Sequence, residues 1–234
     1  DERYGLEVIA RLLSPVSFFI GNERALKENK RFIDVDLNRC FPGKENGNHE
    51  EKLAFELVAN LKNFDYVVDL HSTIGNCPMF GIITRLNAEK IGLAKKTGLK
   101  RLLIMTEKLA KGCALIDHVK CGISLEVGPH KRKENVDEAL ELISNILKNE
   151  VGNNTLEMFE AFDIIKSKGN CEVYMENFKK VKRGELIAND ETGKIYAKFN
   201  FYPVLVSAKS ADNLLCLAAR KLTTFKNNNS LKIT

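Results

Sequence analysis

Strand-like and helix-like segments alternate over the first two thirds of the chain, and this alternation constrains the fold most. The strand-like runs are short and apolar, whereas the helix-like runs repeat apolar residues every three or four positions. The predicted strands are 16–22, 66–72, 79–84, 101–106 and 122–129, and the predicted helices are 50–63, 88–99 and 135–149, the last capped by Asn135. This order predicts an α/β fold with a mixed, largely parallel sheet flanked by helices.

The pattern changes near residue 153. Short alternating segments follow, separated by the turn sequences "KRGE" and "ETGK", and they predict a small β-rich region. We therefore predict an α/β domain at 1–153 and a β-rich C-terminal domain at 154–234. The segment "ADNLLCLAARKL" at 211–222 predicts a final helix.

Composition excludes several classes of function. The 44% of hydrophobic residues can supply a sizeable core, and no apolar run approaches the roughly 20 residues that cross a bilayer. A net charge of +5 arises from 36 basic and 31 acidic residues that are mixed along the chain, which favours a solvated surface over a nucleic-acid-binding one. Six cysteines without a C-x-x-C pair are typical of free thiols in a reducing compartment. With no signal-peptide pattern at the start, the expected location is the cytoplasm.

Two polar residues interrupt apolar predicted strands. His71 closes "YVVDLHS", and Asp69 shares its face of the strand. A histidine in this position is more often structural than a metal ligand. Glu126 interrupts "ISLEVGPH"; a buried carboxylate is costly, so it either pairs with a base such as Arg31 or His130, or lines a cleft as a proton shuttle. Both residues fall near carboxyl ends of strands, where sites collect in open α/β sheets, and this favours a site.

The stretch "RFIDVDLNR" carries two arginines, two aspartates and an asparagine on an apolar frame. Period-two alternation predicts that Asp34, Asp36 and Asn38 share one side, flanked by Arg31 and Arg39. Such a set suits bidentate recognition of a carboxylate, with one cation left to stabilise a developing oxyanion. The alternative is an ion-paired surface loop.

Together, "RFIDVDLNR", "DLHS" and "LEVGPH" resemble motifs of the aspartoacylase/succinylglutamate desuccinylase family of zinc-dependent amidohydrolases. The resemblance covers nearly the whole chain. It implies a zinc carboxypeptidase-like fold and hydrolysis of the amide bond of an N-acyl amino acid or a similar small conjugate, with no nucleic-acid or membrane partner. It leaves a homo-oligomer open.

The resemblance also implies one zinc ion per chain. Family members begin with the motif G-T-H-G-[ND]-E, and Asp1-Glu2 is similar to its tail. Glu2 and His71 would then be two zinc ligands, and the first histidine of the motif would lie just upstream of residue 1. The chain as given lacks that histidine, and we expect the natural protein to be longer.

By the same resemblance, Arg31 polarises the scissile carbonyl and holds the oxyanion, while Asn38 and Arg39 hold the α-carboxylate of the substrate. Glu126 takes a proton from water that the zinc activates and passes it to the leaving amine.

Two departures from the family concern the substrate. Aspartoacylases carry an arginine about ten residues before the catalytic glutamate, but no arginine lies between Leu103 and Val119, and Lys111 or His118 are the only loose substitutes. A substrate-contacting tyrosine that follows the "YPV" strand is also missing, with Ala211 near its place. N-acetylaspartate is therefore not the favoured substrate.

Two other functions stay open at this point. A carboxypeptidase-like peptidase would need a longer cleft than the β-rich region leaves. A non-catalytic protein that binds a small molecule on the same fold would explain an incomplete metal site. The sequence does not identify the acyl group or the amino acid.

Overall fold

The structure, a computed structural model, describes residues 16–130, 132–148, 155–208, 213–224 and 231–233. The chain forms two compact units. The first unit comprises residues 1–65 and 112–120, and the second comprises residues 66–111 and 121–234.

The first unit is built around one long helix. Its described elements are helix α1 (Glu23–Lys27), a 3₁₀ turn (Leu37–Arg39), helix α2 (His49–Leu61) and a second 3₁₀ turn (Leu115–Asp117). Asn48 caps α2: its side chain accepts the N–H of Glu51 at 3.0 Å, and the Glu51 carboxylate accepts the N–H of Asn48 at 3.0 Å. This reciprocal capping box fixes the start of the helix at the predicted position.

The predicted strand at 16–22 is wrong. Residues 16–20 have no regular secondary structure, and Asn22 instead caps α1 by accepting the N–H of Ala25 at 3.0 Å. Phe19 is 46% exposed, and none of the described strands pairs with this run. An apolar run alone does not supply the neighbouring strand that a β-strand needs.

The loop before α2 approaches the backbone of the helix closely. Gly43 has φ +88°, and a Cβ at this position would lie 2.2 Å from the amide nitrogen of Phe55. Lys44 donates its N–H to the carbonyl oxygen of Glu51 at 2.9 Å. Only glycine combines that backbone conformation with so close an approach.

The second unit contains the strands and the remaining helices. Its helices are α3 (Ala88–Thr97), α4 (Glu107–Ala110) and α5 (Glu134–Lys148). Its strands are β1 (Val67–Thr73), β2 (Phe80–Ile83), β3 (Arg101–Met105), β4 (Gly122–Pro129), β5 (Glu157–Lys166), β6 (Glu172–Val173), β7 (Leu186–Asp190), β8 (Gly193–Tyr196), β9 (Tyr202–Val204), β10 (Leu214–Thr224) and β11 (Leu231–Ile233).

The described strands form one large mixed sheet and one small antiparallel sheet. The large sheet has the order β1-β4-β2-β3-β5-β10-β11, with β9 also paired to β10. The pairs β1–β4, β2–β3 and β3–β5 are parallel, whereas β2–β4 and the pairs of β10 are antiparallel. The small sheet has the order β6-β7-β8. The predicted α/β fold, a largely parallel sheet flanked by helices with a small β-rich C-terminal part, is therefore confirmed.

The core explains which way the site residues of β4 point. Ile123, Leu125 and Val127 pack into a buried cluster with side chains from α3 and α5. Because side chains alternate along a strand, Ser124 and Glu126 point to the opposite face. Aromatic side chains cover part of that opposite face, with Phe178 packed against Phe80 and Phe159 at ring-centroid distances of 5.3 and 5.1 Å.

The predicted helix at 211–222 is wrong over the residues that the structure describes. Residues 214–224 form β10, which pairs with β5 from Leu214↔Lys166 to Leu222↔Met158. Residues 215–219 of this strand are all buried. A strand buried on both faces is a continuous apolar run, and its periodicity cannot be told from that of a buried helix.

The predicted helix cap Asn135 does not cap α5. Asn135 lies inside α5, which begins at Glu134, and it donates its side-chain N–H to the carbonyl oxygen of Pro129 at 2.7 Å instead of capping the helix. Strand β5 follows the predicted domain boundary at residue 153 yet continues the large sheet beside β3. The domain division itself stays a prediction.

Within the described residues, no helix is long and apolar enough to cross a membrane.

Candidate active site

The structure brings His71 and Glu126 together. They are register partners on the parallel strands β1 and β4, so their side chains lie on the same face of the sheet. Neighbouring strands are about 4.8 Å apart, which places an imidazole directly beside a carboxyl group. Both residues lie toward the carboxyl ends of their strands, as the sequence predicts.

A bulge follows Glu126 immediately. Between the pairs His71↔Glu126 and Thr73↔Pro129, β4 advances three residues while β1 advances two. Gly128 adopts φ +112° within this irregularity, a conformation that favours glycine. Bulges of this kind redirect a neighbouring side chain and end regular pairing, and they are frequent next to active sites.

Asp69 fixes the orientation of the imidazole. Its Oδ2 lies 2.8 Å from Nε2 of His71, and the hydroxyl of Ser124 on the neighbouring strand donates to the same oxygen at 3.5 Å. A carboxylate behind an imidazole is the usual companion of a histidine that binds a metal, because it sets the ring orientation and raises the basicity of the other nitrogen.

Glu126 lies in apolar surroundings. Burial raises the pKa of its carboxyl group above the usual value of 4.5; the positive form of His71 opposes this shift, and the negative charge of Asp69 adds to it. Phe80, its register partner on β2, is 0% exposed. Cys77 is also buried, and burial raises the pKa of its thiol to about 12. A raised pKa makes the carboxylate a stronger base than that of an ordinary glutamate, which suits a group that accepts and then releases a proton.

The donor set of the described residues fits one part of a zinc site. An imidazole backed by a carboxylate is a common zinc ligand, and His71 has this arrangement. Across the described ranges, no group of three or more His, Cys, Asp or Glu side chains could hold a metal ion. Glu2, the other predicted ligand, lies outside the described residues.

Residues 31–39, which we call the substrate-binding segment after the role predicted for them, belong to the first unit and do not form the predicted extended stretch. Bends are followed by the 3₁₀ turn Leu37–Arg39. Asp36 accepts the N–H of Asn38 at 3.0 Å with one oxygen, and Nη2 and Nε of Arg31 at 2.8 and 3.2 Å with the other. The predicted sharing of one side by alternate residues is wrong, because these local hydrogen bonds decide where the side chains point.

One pair of opposite charges, Arg31 and Asp36, lies within this segment. Burial opposes ionisation of Asp36, but the hydrogen bond and positive charge of Arg31 outweigh it and hold the pKa of Asp36 below its usual value. The Arg31 side chain nevertheless remains 60% exposed. Arg39 is exposed and donates from Nη1 to the carbonyl oxygen of Asn38 at 3.1 Å. Asn38 and Arg39 thus lie on the 3₁₀ turn, and Arg31 is tied to the residue that caps this turn, Asp36.

Sequence reasoning missed the residue that anchors this segment. Glu50, in the first turn of α2, is 0% exposed, and its carboxylate accepts the N–H groups of Ile33, Asp34 and Val35 at 2.5, 2.9 and 3.2 Å. Burial alone would raise the pKa of Glu50, but these N–H groups and the Asn22 amide lower it to about 2. The sequence gives no signal for this role. Glu50 and Glu51 are adjacent acids in the first turn of a helix, where either would be favourable, and the burial of Glu50 is visible only in the structure.

The Succinylglutamate desuccinylase/Aspartoacylase catalytic domain family matches residues 5–149. The chain belongs to this family. The match includes Arg31, Asn38, Arg39, His71 and Glu126 and ends before the C-terminal strands.

Curated relatives of the family share part of their length with this chain. A probable aspartoacylase of Acaryochloris marina is 32% identical over 152 residues, which cover 55% of this chain and 52% of that protein. An N-acyl-aromatic-L-amino acid amidohydrolase (carboxylate-forming) B of Danio rerio is 29% identical over 186 residues, which cover 65% of this chain and 58% of that protein. The chain therefore spans about half the length of the relatives that it matches.

Solved structures of the family share the fold. Murine aminoacylase 3 superposes with a TM-score of 0.76 at 20% identity, over 94% of this chain and 88% of that one. A succinylglutamate desuccinylase/aspartoacylase from Rhodobacter sphaeroides gives a TM-score of 0.69 at 15% identity, over 86% of this chain and 73% of that one.

Proposed function

We propose that this protein is a zinc-dependent hydrolase that cleaves the amide bond of an N-acyl amino acid or a similar small conjugate. The observation that carries the proposal is the pairing of His71 with Glu126 on adjoining strands, with Asp69 behind the imidazole. The names of the relatives support the same chemistry, since they include probable aspartoacylases and amidohydrolases of N-acyl amino acids.

Glu2 and His71 would hold the zinc ion, His71 through the ring nitrogen opposite the one that contacts Asp69. When bound, zinc supplies Lewis acidity that makes water a stronger acid and polarises a carbonyl oxygen. Asp69 holds the imidazole in the orientation that binding requires, and Ser124 in turn holds Asp69.

Glu126 moves the proton. As general base it accepts a proton from the water whose oxygen attacks the amide carbon, and as general acid it gives that proton to the leaving nitrogen when the C–N bond breaks. The products are a carboxylic acid and an amine. The raised pKa of Glu126 favours both steps, because a carboxyl group of ordinary pKa is a weak base at neutral pH.

The substrate-binding segment recognises the substrate. Asn38 and Arg39, adjacent on the 3₁₀ turn, bind the α-carboxylate, for which a planar guanidinium offers two parallel donors. Arg31, held by Asp36, stabilises negative charge on the carbonyl oxygen. All three residues lie within the range 5–149 that the family model matches.

A panel of substrates tests the proposal. The natural protein, loaded with zinc, is incubated with N-acetyl derivatives of aromatic, aliphatic and acidic amino acids and with N-succinylglutamate, and the released amine is measured. We expect turnover of at least one conjugate that bears a free α-carboxylate, and loss of turnover when that carboxylate is amidated. Tight binding without hydrolysis of any conjugate would overturn the proposal in favour of a binding protein.

A further inference from the structure

Glu50 is a buried carboxylate that the proposed reaction does not use directly. It lies in the first turn of α2 and is 0% exposed. Three successive backbone N–H groups, those of residues 33–35, converge on it at 2.5 to 3.2 Å. Such hydrogen bonds to an ionised acceptor are stronger than neutral ones, and each N–H would lose its acceptor if the carboxylate were removed.

Neighbouring contacts tie the same segment to the helix a second time. The Asp34 carboxylate accepts the N–H of His49 at 3.0 Å, at the residue where α2 begins. The Asn22 amide donates to Glu50 at 2.9 Å, and its oxygen lies 3.2 Å from Nε2 of His49. The loop and the helix start therefore form one connected polar network.

This anchorage lies in the middle of the substrate-binding segment. Arg31 precedes the three anchored residues by two positions, and the 3₁₀ turn with Asn38 and Arg39 begins two positions after them. The Glu50 carboxylate thus fixes the backbone midway between Arg31 and Arg39, because it binds the N–H groups of residues 33–35. A shift of about 1 Å in such a segment can cost roughly 100-fold in rate.

We propose that Glu50 is a positioning residue that holds the substrate-binding segment in the arrangement that recognises the carboxylate of the substrate. The inference rests on the proposed function. It has a chemical corollary: the three N–H groups form an anion site that the protein fills with its own carboxylate. Removing that carboxylate opens the site to a small external anion such as formate.

The first test is a comparison of Glu50→Gln with two controls on the same helix. Glu56→Gln changes an exposed acid, and Leu61→Ala removes a buried side chain at the far end of α2, so it lowers stability without touching the segment. The dissociation constants of N-acetyl amino acids are measured by calorimetry in the Glu126→Gln background, where turnover is suppressed. We expect Glu50→Gln to weaken binding by roughly 10- to 100-fold, and both controls to bind as the background does.

A double variant separates positioning from a general loss of structure. If Glu50 acts through Arg39, the combined Glu50→Gln and Arg39→Ala variant binds as weakly as Arg39→Ala alone, because the two changes remove the same interaction. Leu61→Ala combined with Arg39→Ala should also bind as Arg39→Ala does, because Leu61→Ala by itself leaves affinity unchanged. The informative comparison is that Glu50→Gln weakens binding alone but not on top of Arg39→Ala. Additivity of Glu50→Gln with Arg39→Ala would overturn the inference.

Chemical rescue provides a test that a structural role alone would not pass. Glu50→Ala should regain affinity when formate is added, whereas chloride at the same ionic strength should have no effect and Leu61→Ala should not respond to formate. Hydrogen exchange of the amides of residues 33–35 should slow in parallel. Failure of formate to restore both binding and protection would refute the anion-site argument.

The inference and the proposed function fail in different ways. If the natural protein hydrolyses N-acyl amino acids but Glu50→Gln binds them normally, the inference is wrong and the function stands. If the natural protein binds N-acyl amino acids without hydrolysing them, the function is wrong, and a loss of affinity in Glu50→Gln still supports the positioning role.

Discussion

Glu126 is the residue to which we assign proton transfer in the proposed reaction. Its carboxyl group has a raised pKa because it is buried, and the adjoining Asp69 charge raises it further. Glu126→Gln preserves the shape of the side chain but cannot accept a proton. We expect turnover to fall by roughly 10²- to 10⁴-fold, the usual contribution of a general base, while the metal content is unchanged. Metal analysis and steady-state kinetics measure the two effects, and near-normal turnover would show that Glu126 is only structural.

The two arginines of the substrate-binding segment should differ in their kinetic effects. Arg39 is assigned to a carboxylate that is bound equally in the ground and transition states, so Arg39→Ala should mainly raise KM. Arg31 is assigned to charge that grows in the transition state, so Arg31→Ala should mainly lower kcat, by about 10²- to 10³-fold.

Two controls refine this comparison. Arg39→Lys should recover little, because a point charge does not reproduce the planar fork of a guanidinium. An amidated substrate should be insensitive to Arg39→Ala. Small, equal effects of both alanine variants on kcat and KM would indicate that the segment is only an ion-paired surface loop. The role of Arg31 would then be limited to its ion pair with Asp36 at 2.8 Å.

At the scale of residues, the sequence predicts where polar groups interrupt apolar elements but not what they contact. His71 and Glu126 were expected at strand ends, and they are register partners there. The alternation expected for the substrate-binding segment fails because Asp34 and Asp36 bond to nearby backbone and side-chain groups. The role of Glu50 could not be predicted from the sequence, because its burial depends on how the loop before α2 folds onto the start of the helix.

At the scale of elements, the helices at 50–63, 88–99 and 135–149 and the four short apolar strands between residues 66 and 129 were predicted well, but the apolar runs at 16–22 and 211–222 were not. The helix predicted at 50–63 is α2, and its capping box is encoded locally. The run that forms β10 was assigned to a helix, because local periodicity carries no information about its partner β5. Pairing across the sheet with a distant part of the chain, from Leu214↔Lys166 to Leu222↔Met158, decides this element.

The junction between the substrate-binding segment and α2 should make stability depend on pH. The pKa of Glu50 falls from an ordinary value of 4.5 to about 2 in the folded protein. A lowered pKa stabilises the fold fully above the unfolded value, and this contribution is lost as the pH falls from about 4.5 through about 2. Urea unfolding followed by circular dichroism between pH 2 and pH 6 should show this loss.

The matched variant for that experiment is Glu50→Gln, which removes the titrating group. It should be less stable at neutral pH by about 2–4 kcal/mol, since buried N–H groups lose a charged acceptor, and its stability should change less between pH 4.5 and pH 2. Glu56→Gln, on the exposed face of the same helix, should retain the pH dependence of the unaltered protein. Parallel pH profiles for Glu50→Gln and the unaltered protein would contradict the assignment.

At the scale of the whole molecule, the predicted boundary at residue 153 falls within a shared core. Strands β5 and β10 extend the large sheet, and Phe159 of β5 packs in one buried cluster with Phe80 and Leu103. A chain that ends at residue 153 would lack Phe159 and would expose Phe80, Leu103 and the edge of β3. We expect it to be insoluble or to lack a cooperative unfolding transition, and a soluble, cooperatively folded fragment would establish 1–153 as an independent domain.

The proposed metal dependence concerns the molecule as a whole, because the proposed ligands are far apart in the sequence. The natural protein, purified without chelators, should contain about one zinc ion per chain. His71→Ala should abolish binding. Asp69→Asn should lower zinc affinity by about 10- to 100-fold, because the imidazole loses the carboxylate that orients it at 2.8 Å. Glu56→Gln serves as the control and should bind zinc normally.

Removal of zinc by a chelator should abolish turnover, and added zinc should restore it in the natural protein but not in His71→Ala. Atomic absorption gives the metal content, and titration against a competing chelator gives the affinity. If Asp69 orients the imidazole of His71 for zinc, the variants should follow a specific order, with the control binding most tightly, Asp69→Asn more weakly and His71→Ala not at all. If the natural protein contains no zinc and gains none on addition, or if His71→Ala keeps a full zinc ion, then His71 is not a ligand and the carboxylate behind it serves only the stability of β1.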